Sequence, residues 1–210
     1  MEEGTTFVKQ VMCHIEQIAP SDDRVLIAIG GPPASGKSTL AAQLHRLLNA
    51  SNMPCGLIPM DGFHLDNNIL QDRGLLSRKG APETFDVVGF AKLISALNSE
   101  ENFTVPLFDR ERDCVLQDAA HIESHQRHII IEGNYLFLND GLWRDLQSYW
   151  TLNVFISPPI EVLEKRLIQR WIEQGLGKPA AEERARTNDI PNANLILSQS
   201  NMELIDVLLD

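Results

Sequence analysis

Gly31-Pro32-Pro33-Ala34-Ser35-Gly36-Lys37-Ser38 fits the pattern G-x-x-x-x-G-K-[ST] without a gap. A loop of this kind wraps a nucleoside triphosphate in main-chain N–H groups, and glycine is required where a Cβ would hold the phosphates off. Lys37 is expected to reach the β- and γ-phosphates, the Ser38 hydroxyl to ligate Mg²⁺, and Thr39 to add a contact to the α-phosphate. A plain glycine turn would share some of these letters. The pattern lies, however, between an apolar run at Val25–Ile29 and a helical stripe of Leu40, Leu44, Leu47 and Leu48. That is the strand–loop–helix setting the chemistry needs, because the helix then aims its positive end at the same phosphates.

Phosphoryl transfer to an alcohol also needs a group that orients the hydroxyl and takes its proton. Asp61, in Met60-Asp61-Gly62-Phe63-His64, stands at the end of the next apolar run, Cys55–Met60. Residue type alone equally fits a turn aspartate bonded to its own backbone. Arg166 and Arg170 are four apart in a helical pattern over 160–174 and so share a face. They could neutralise a transferring phosphate, or be solvated beside Glu164 and Glu173. Leu163, Leu167 and Trp171 on the adjacent face read as packing residues.

The elements that must position these groups follow from periodicity. Val8, Val11, Met12, Ile15 and Ile18 predict an amphipathic helix over 5–18, broken at Pro20-Ser21-Asp22-Asp23. Further apolar runs at Ile129–Ile131, Leu152–Ile156 and Ile205–Leu209 read as strands, with helical patterns at 87–98 and 160–174 between them. Strands alternating with helices imply an α/β fold with a parallel sheet covered on both faces. In such sheets ligands gather beyond the carboxyl ends of the strands, where the conspicuous polar clusters of this chain also fall.

The loop above, together with Met60-Asp61-Gly62-Phe63-His64, Arg78-Lys79-Gly80-Ala81-Pro82-Glu83-Thr84-Phe85-Asp86 and Ile131-Glu132-Gly133-Asn134-Tyr135, resembles the phosphoribulokinase, uridine kinase and bacterial pantothenate kinase family. The likeness spans about residues 24–200 and is nearest to members described as nucleoside-kinase-like or as sugar kinases associated with fructose transport. It implies a P-loop NTPase fold of the nucleoside and nucleotide kinase type: a five-stranded parallel core, helices on both faces and a small lid. By the resemblance Asp61 is the catalytic aspartate, and Glu132 is the acidic residue that holds the hydration shell of Mg²⁺ across from Ser38. Asp86 matches an aspartate that binds acceptor hydroxyls in uridine kinase-like relatives. Phe108 and Asp109 stand where uridine kinases carry a Tyr-Asp pair, and the missing hydroxyl counts against a pyrimidine acceptor. His64, Phe108 and Arg110 are expected as pocket walls. Arg166 and Arg170 match the arginine-rich lid, hinged at Gly175, Gly177 and Pro179, which spans about 171–192 of a single domain over 1–210. Arg184, Arg186, Asn188, Asp189 and Pro191-Asn192-Ala193 are expected to complete the lid and the adenine pocket.

Composition narrows the partners. A 210-residue chain, 43% hydrophobic and 22% charged, can bury a full core. A net charge of -11 counts against nucleic acid or an anionic membrane as partner. No run approaches the roughly 18 apolar residues of a bilayer span, and the first residues lack a secretory signal, so a cytoplasmic protein is expected. Cys13, Cys55 and Cys114 suggest neither disulfides nor a zinc site, and read as buried structural thiols.

The leading expectation is therefore a kinase that moves the γ-phosphoryl group of ATP onto a small-molecule hydroxyl acceptor, of sugar or nucleoside type. A pantothenate-like or nucleotide kinase with an anionic acceptor is a second reading, in which Arg73, Arg78 and Lys79 would hold the anion instead of forming a solvated loop. A regulatory ATP-binding switch is a third, weakened by the lack of an Asn-Lys-x-Asp guanine signature. Relatives by resemblance form dimers and tetramers, which leaves a homo-oligomer open.

Overall fold

The computed structural model describes residues 2–19, 21, 23–99 and 102–210. Pro20 and Asp22, half of the expected break after the first helix, lie outside the described residues. The chain runs α1 (Glu2–Ile15), β1 (Val25–Gly30), α2 (Lys37–Ala50), β2 (Cys55–Pro59), α3 (Asn67–Asp72), α4 (Val87–Ala96), β3 (Phe103–Asp109) and β4 (Cys114–Ile122). It continues with β5 (His128–Gly133), α5 (Gly141–Leu146), β6 (Leu152–Ile156), α6 (Ile160–Glu173), α7 (Lys178–Arg184), α8 (Ile190–Gln199) and β7 (Val207–Leu209). Each apolar run of the sequence is a strand, and all of them join one five-stranded parallel sheet in the order β2-β5-β1-β6-β7.

Period-two alternation sorts the sheet residues onto its two faces. From β1, Leu26 and Ala28 enter one core with Ile58, Ile129, Ile131, Phe90 and Ile94. Ile27 and Ile29 enter the other, with Val11, Leu40, Leu44, Ile130 and Val154. Burying a side chain of this size contributes about 1.5–3 kcal/mol, so a one-residue slip of β1 would forfeit several such terms at once.

Register levels the strand ends. Gly30 pairs with Gly133, Ile29 with Glu132, and Pro59 with Glu132. The segments leaving β1, β2 and β5 therefore emerge side by side at one edge. The loop 31–36, Asp61 and Glu132 are neighbours for that reason.

The periodicity read from the sequence assigns no element to residues 103–122. They form an antiparallel hairpin of β3 and β4, with an irregularity in register between Val105 and Leu107. Pro106 sits there, where its missing N–H breaks no ladder bond. Its carbonyl lies over the turn after β2: a Cβ on Gly62 would come within 2.0 Å of Pro106 O. Gly62→Ala is therefore expected to push the hairpin off that turn. Overpacking of this kind costs about 1–3 kcal/mol, a fall in Tm of about 3–10 °C for a chain of this size. A melt within a degree of the parent would show that the close approach is not needed.

The thiols differ from the expectation. Cys55 is buried, and burial pushes it up to about 12, whereas Cys13 is exposed and Cys114 half-buried. No helix among the described residues is long and apolar enough to cross a membrane.

Candidate active site

β1 delivers the chain into the glycine loop with no room to spare. Gly31 has φ +148, and a Cβ there would stand 2.5 Å from the carbonyl oxygen of Ile156. Gly36, with φ 104, hands the chain to α2, which has no side-chain cap at its N-terminus. Its first N–H groups are left for a ligand to satisfy. Pro33, Ala34, Gly36, Lys37, Ser38 and Thr39 face a cleft of about 1420 Å³, while Gly31, Pro32 and Ser35 are buried behind it.

Behind the lining, Ser38 Oγ donates at 3.1 Å to Oε2 of Glu132, which is buried and does not itself face the cleft. Burial pushes the Glu132 carboxyl above its ordinary value, and Lys37 opposes that shift. Burial likewise lowers the Lys37 ammonium, with Glu132 and then Asp61 pulling it back up. The hydrogen bond that Lys37 Nζ makes is a long one, 3.4 Å to Pro32 O. Three groups singled out by the sequence thus act on one another electrostatically.

Asp61 sits on the turn Met60–Phe63 that follows β2. Arg110, at the hairpin tip, donates to Asp61 Oδ2 at 2.9 Å. The Nδ1–H of His64 donates to the Asp61 carbonyl at 2.8 Å, and its ring lies between Phe85 and Phe108, at 4.1 and 4.6 Å between centroids. Burial lowers the imidazole below its ordinary range, which makes it a neutral wall. Lys79 lies 4.9 Å from the centre of the Phe108 ring and donates to Asp113 and Asn67, both at 2.7 Å.

Asp86 requires a correction. It is exposed, lies outside the lining of this cleft, and spends its carboxylate on capping α4, accepting from Gly89 N at 2.9 Å. It lines instead a second cavity of about 560 Å³, with Gly62, Phe63 and His64. The cationic set also differs from both expectations. Arg73 is exposed, but Arg78 reaches Asn188 and Asn192 on the later helices, and Lys79 is paired with Asp113. Both are thus engaged by partners within the fold, with the Arg78 side chain still 39% exposed.

On the far side, α6 brings Arg170 and Trp171 to the cleft wall. Burial, then the nearby Arg110, lower the Arg170 guanidinium, and its Nε has no hydrogen-bond partner. Arg166 stays outside the lining and donates to the carbonyls of Ala34 and Ser35 at 3.2 and 3.4 Å, bracing the glycine loop from behind. Leu163 and Leu167 pack a small core as expected. Trp171 does more than pack, since its indole N–H also donates to Asp189. Gly175 takes a left-handed φ of 95 and ends α6, but Pro179 opens α7 in its first turn and does not prolong a loop. Asn134 went unassigned by sequence reasoning. It lines the cleft with a buried, unpartnered Oδ1, and its position directly after Glu132-Gly133 was the available signal.

The donor set fits a magnesium triphosphate. Glycine-rich backbone, an uncapped helix start and two cations short of partners, Lys37 and Arg170, face one space. Among the described residues no group of three or more His, Cys, Asp or Glu could hold a metal. Mg²⁺ needs no such cage, because it takes one or two protein oxygens and completes its shell with water and phosphate.

Comparison with known proteins gives a consistent picture. No family model matches the chain. "Uncharacterized protein YggC" of Escherichia coli K12 is 38% identical over 181 residues, covering 84% of this chain and 74% of that protein. "Putative uridine kinase C227.14" of Schizosaccharomyces pombe is 31% identical over 204 residues, covering 92% of this chain and 86% of that one. The crystal structure of a "putative fructose transport system kinase" from Silicibacter sp. TM1040 superposes with a TM-score of 0.91 at 43% identity, covering 97% of this chain and 98% of the other.

Proposed function

Because the chain belongs to the P-loop kinase family that takes in uridine kinase, pantothenate kinase and phosphoribulokinase, we propose that it transfers the γ-phosphoryl group of ATP to a hydroxyl of a neutral sugar or nucleoside-type acceptor. The observation that carries this reading is Asp61. It stands at the strand end beside the glycine loop, close enough for both Lys37 and Glu132 to feel its charge.

In the reaction, Asp61 orients the acceptor hydroxyl and takes its proton. Arg110 occupies only Oδ2, which leaves Oδ1 for that task. The acceptor oxygen forms a bond to the γ-phosphorus as the bond to the bridging β,γ-oxygen breaks, and ADP leaves. Lys37 and Arg170 supply positive charge where the transferring group spreads its negative charge. Ser38 and Glu132 would hold Mg²⁺, which neutralises phosphate charge when bound. Helices α6 to α8, over about 171–192, act as a lid that excludes water and limits wasteful hydrolysis.

Charge pairing favours a neutral acceptor over the anionic one of a pantothenate-like or nucleotide kinase. At the acceptor end Lys79 is paired with Asp113, Arg110 with Asp61 and Arg112 with Asp109. Arg184 is taken up by the carbonyls of Ser77 and Lys79. An anion would have to break one of these pairs, whereas a polyol can share them through hydrogen bonds.

ADP release should be compared across matched acceptors: fructose against fructose 6-phosphate, uridine against UMP, glycerol against glycerate, with pantothenate added. Turnover is expected with a neutral member, at least about tenfold above its anionic partner in kcat/KM, as the loss of one charge-assisted bond implies. Turnover with pantothenate or UMP alone would reverse the choice of acceptor class.

A further inference from the structure

The loop 76–80 and the helices beyond Gly175 are distant in sequence but share a dense polar seam. Arg78 Nη1 donates to Asn188 Oδ1 at 3.1 Å, and Nη2 to Asn192 Oδ1 at 3.5 Å. In return Asn188 Nδ2 donates to the Lys79 carbonyl at 3.0 Å, and Arg184 donates to the carbonyls of Ser77 at 2.6 Å and Lys79 at 3.4 Å. Asn188 and Asn192 are 2% and 3% exposed, so the seam is buried on the asparagine side, while the Arg78 side chain stays 39% exposed. Buried amides that lose their partners are costly, which gives the seam cooperative character.

Two further observations suggest that the seam serves the site and not only the fold. The helix widens to a π-turn over Ala185–Asp189, a distortion frequent at functional sites, and Asn188 lies within that turn. Both partners of the seam also line the cleft, Lys79 and Gly80 from the loop, Arg184, Asp189 and Asn192 from the helices. On its other side the loop is anchored by Tyr135, whose hydroxyl donates to Gly80 O at 2.6 Å. The wall at Lys79 and Gly80 is thus suspended between Tyr135 and the helical stretch 184–192, which is in turn tied to α6 by the hydrogen bond from the Trp171 indole to Asp189.

We propose that Arg78 and Asn188 are positioning residues, and that their seam makes the acceptor wall at 79–80 move as one body with the helices that close over the nucleotide. Binding of nucleotide then sets the acceptor wall before the acceptor arrives. Only this last step rests on the ATP reading; the coupling between loop and helices does not.

Hydrogen exchange of the intact protein tests both parts, with Mg²⁺ and a non-hydrolysable ATP analogue as the probe. Without ligand, Arg78→Ala should speed exchange by about tenfold or more in 76–81 and in 185–193 together, while the strands at 26–29 and 129–131 stay protected. Arg78→Lys, which keeps one donor group, should restore part of this. Glu83→Gln, which removes the 3.7 Å ion pair of Arg78 outside the seam, should change neither segment. In the parent, the analogue should protect 31–39, 178–193 and 76–81. In Arg78→Ala the first two should remain protected and the third should not. Loosening confined to 76–81 without ligand would overturn the seam, and analogue protection of 76–81 in Arg78→Ala would overturn its positioning role. Failure of the analogue to protect 31–39 in the parent would instead defeat the ATP reading, and the ligand-free comparison would still decide the coupling.

Discussion

Asp61→Asn is expected to cut phosphoryl transfer by about 10²–10⁴-fold while leaving the affinity for Mg²⁺-ATP within about twofold of the parent. The amide keeps the shape of the carboxylate, and its oxygen can still accept from Arg110, which holds Asp61 Oδ2 at 2.9 Å. What it loses is the ability to take a proton from the acceptor hydroxyl. The glycine loop, Lys37 and the Ser38–Glu132 pair belong to other strand ends and keep their contacts, although Lys37 and Glu132 no longer feel the charge of Asp61. Calorimetry with ATP and a single-turnover assay with a competent acceptor separate the two effects. Transfer at the parental rate would remove Asp61 from the mechanism and leave it as a turn residue.

Lys37→Ala should damage both steps, lowering ATP affinity by about 10–100-fold and turnover by about 10²–10³-fold beyond that, as removal of a charge-assisted phosphate contact and of transition-state stabilisation implies. The loss has a second component. Lys37 is the largest charge holding the buried Glu132 carboxyl down against the upward push of desolvation. Without it that carboxyl rises further, so at a given pH more of Glu132 is protonated and poorly suited to Mg²⁺. Raising the pH should therefore recover part of the variant's Mg²⁺ dependence, since a carboxyl with a raised pKa ionises only as pH climbs through it. A variant with parental affinity, or one whose Mg²⁺ requirement ignores pH, would contradict this coupling.

The parallel sheet was legible because β1, β5 and β6 are buried on both faces and so spell nearly unbroken apolar runs. The glycine loop was legible because its backbone path permits few residue types. The hairpin escaped notice because β4 turns Gln117, Asp118 and Ala119 to solvent, so its sequence lacks the period-two contrast that marks a half-buried strand. The helix cap made by Asp86 was not legible because an aspartate that caps a helix and one that lines a cavity look alike as letters, and the bond to Gly89 N appears only in three dimensions. The places of Arg78 and Lys79 could not be read from the sequence, since partners that help fix them, Asn188, Asn192 and Asp113, lie more than thirty residues away.

The passage of Pro106 over Gly62 has an evolutionary side. The sheet edge carries the glycine loop, Asp61 and Glu132, whereas Phe108, Arg110 and Asp113 ride at the far end of a two-stranded ribbon that passes over Gly62 and is buried in the core at its base through Phe103, Val105 and Ile122. The part of such a ribbon that is open to rewriting is its exposed tip, since the base is committed to the core and Arg110 to Asp61.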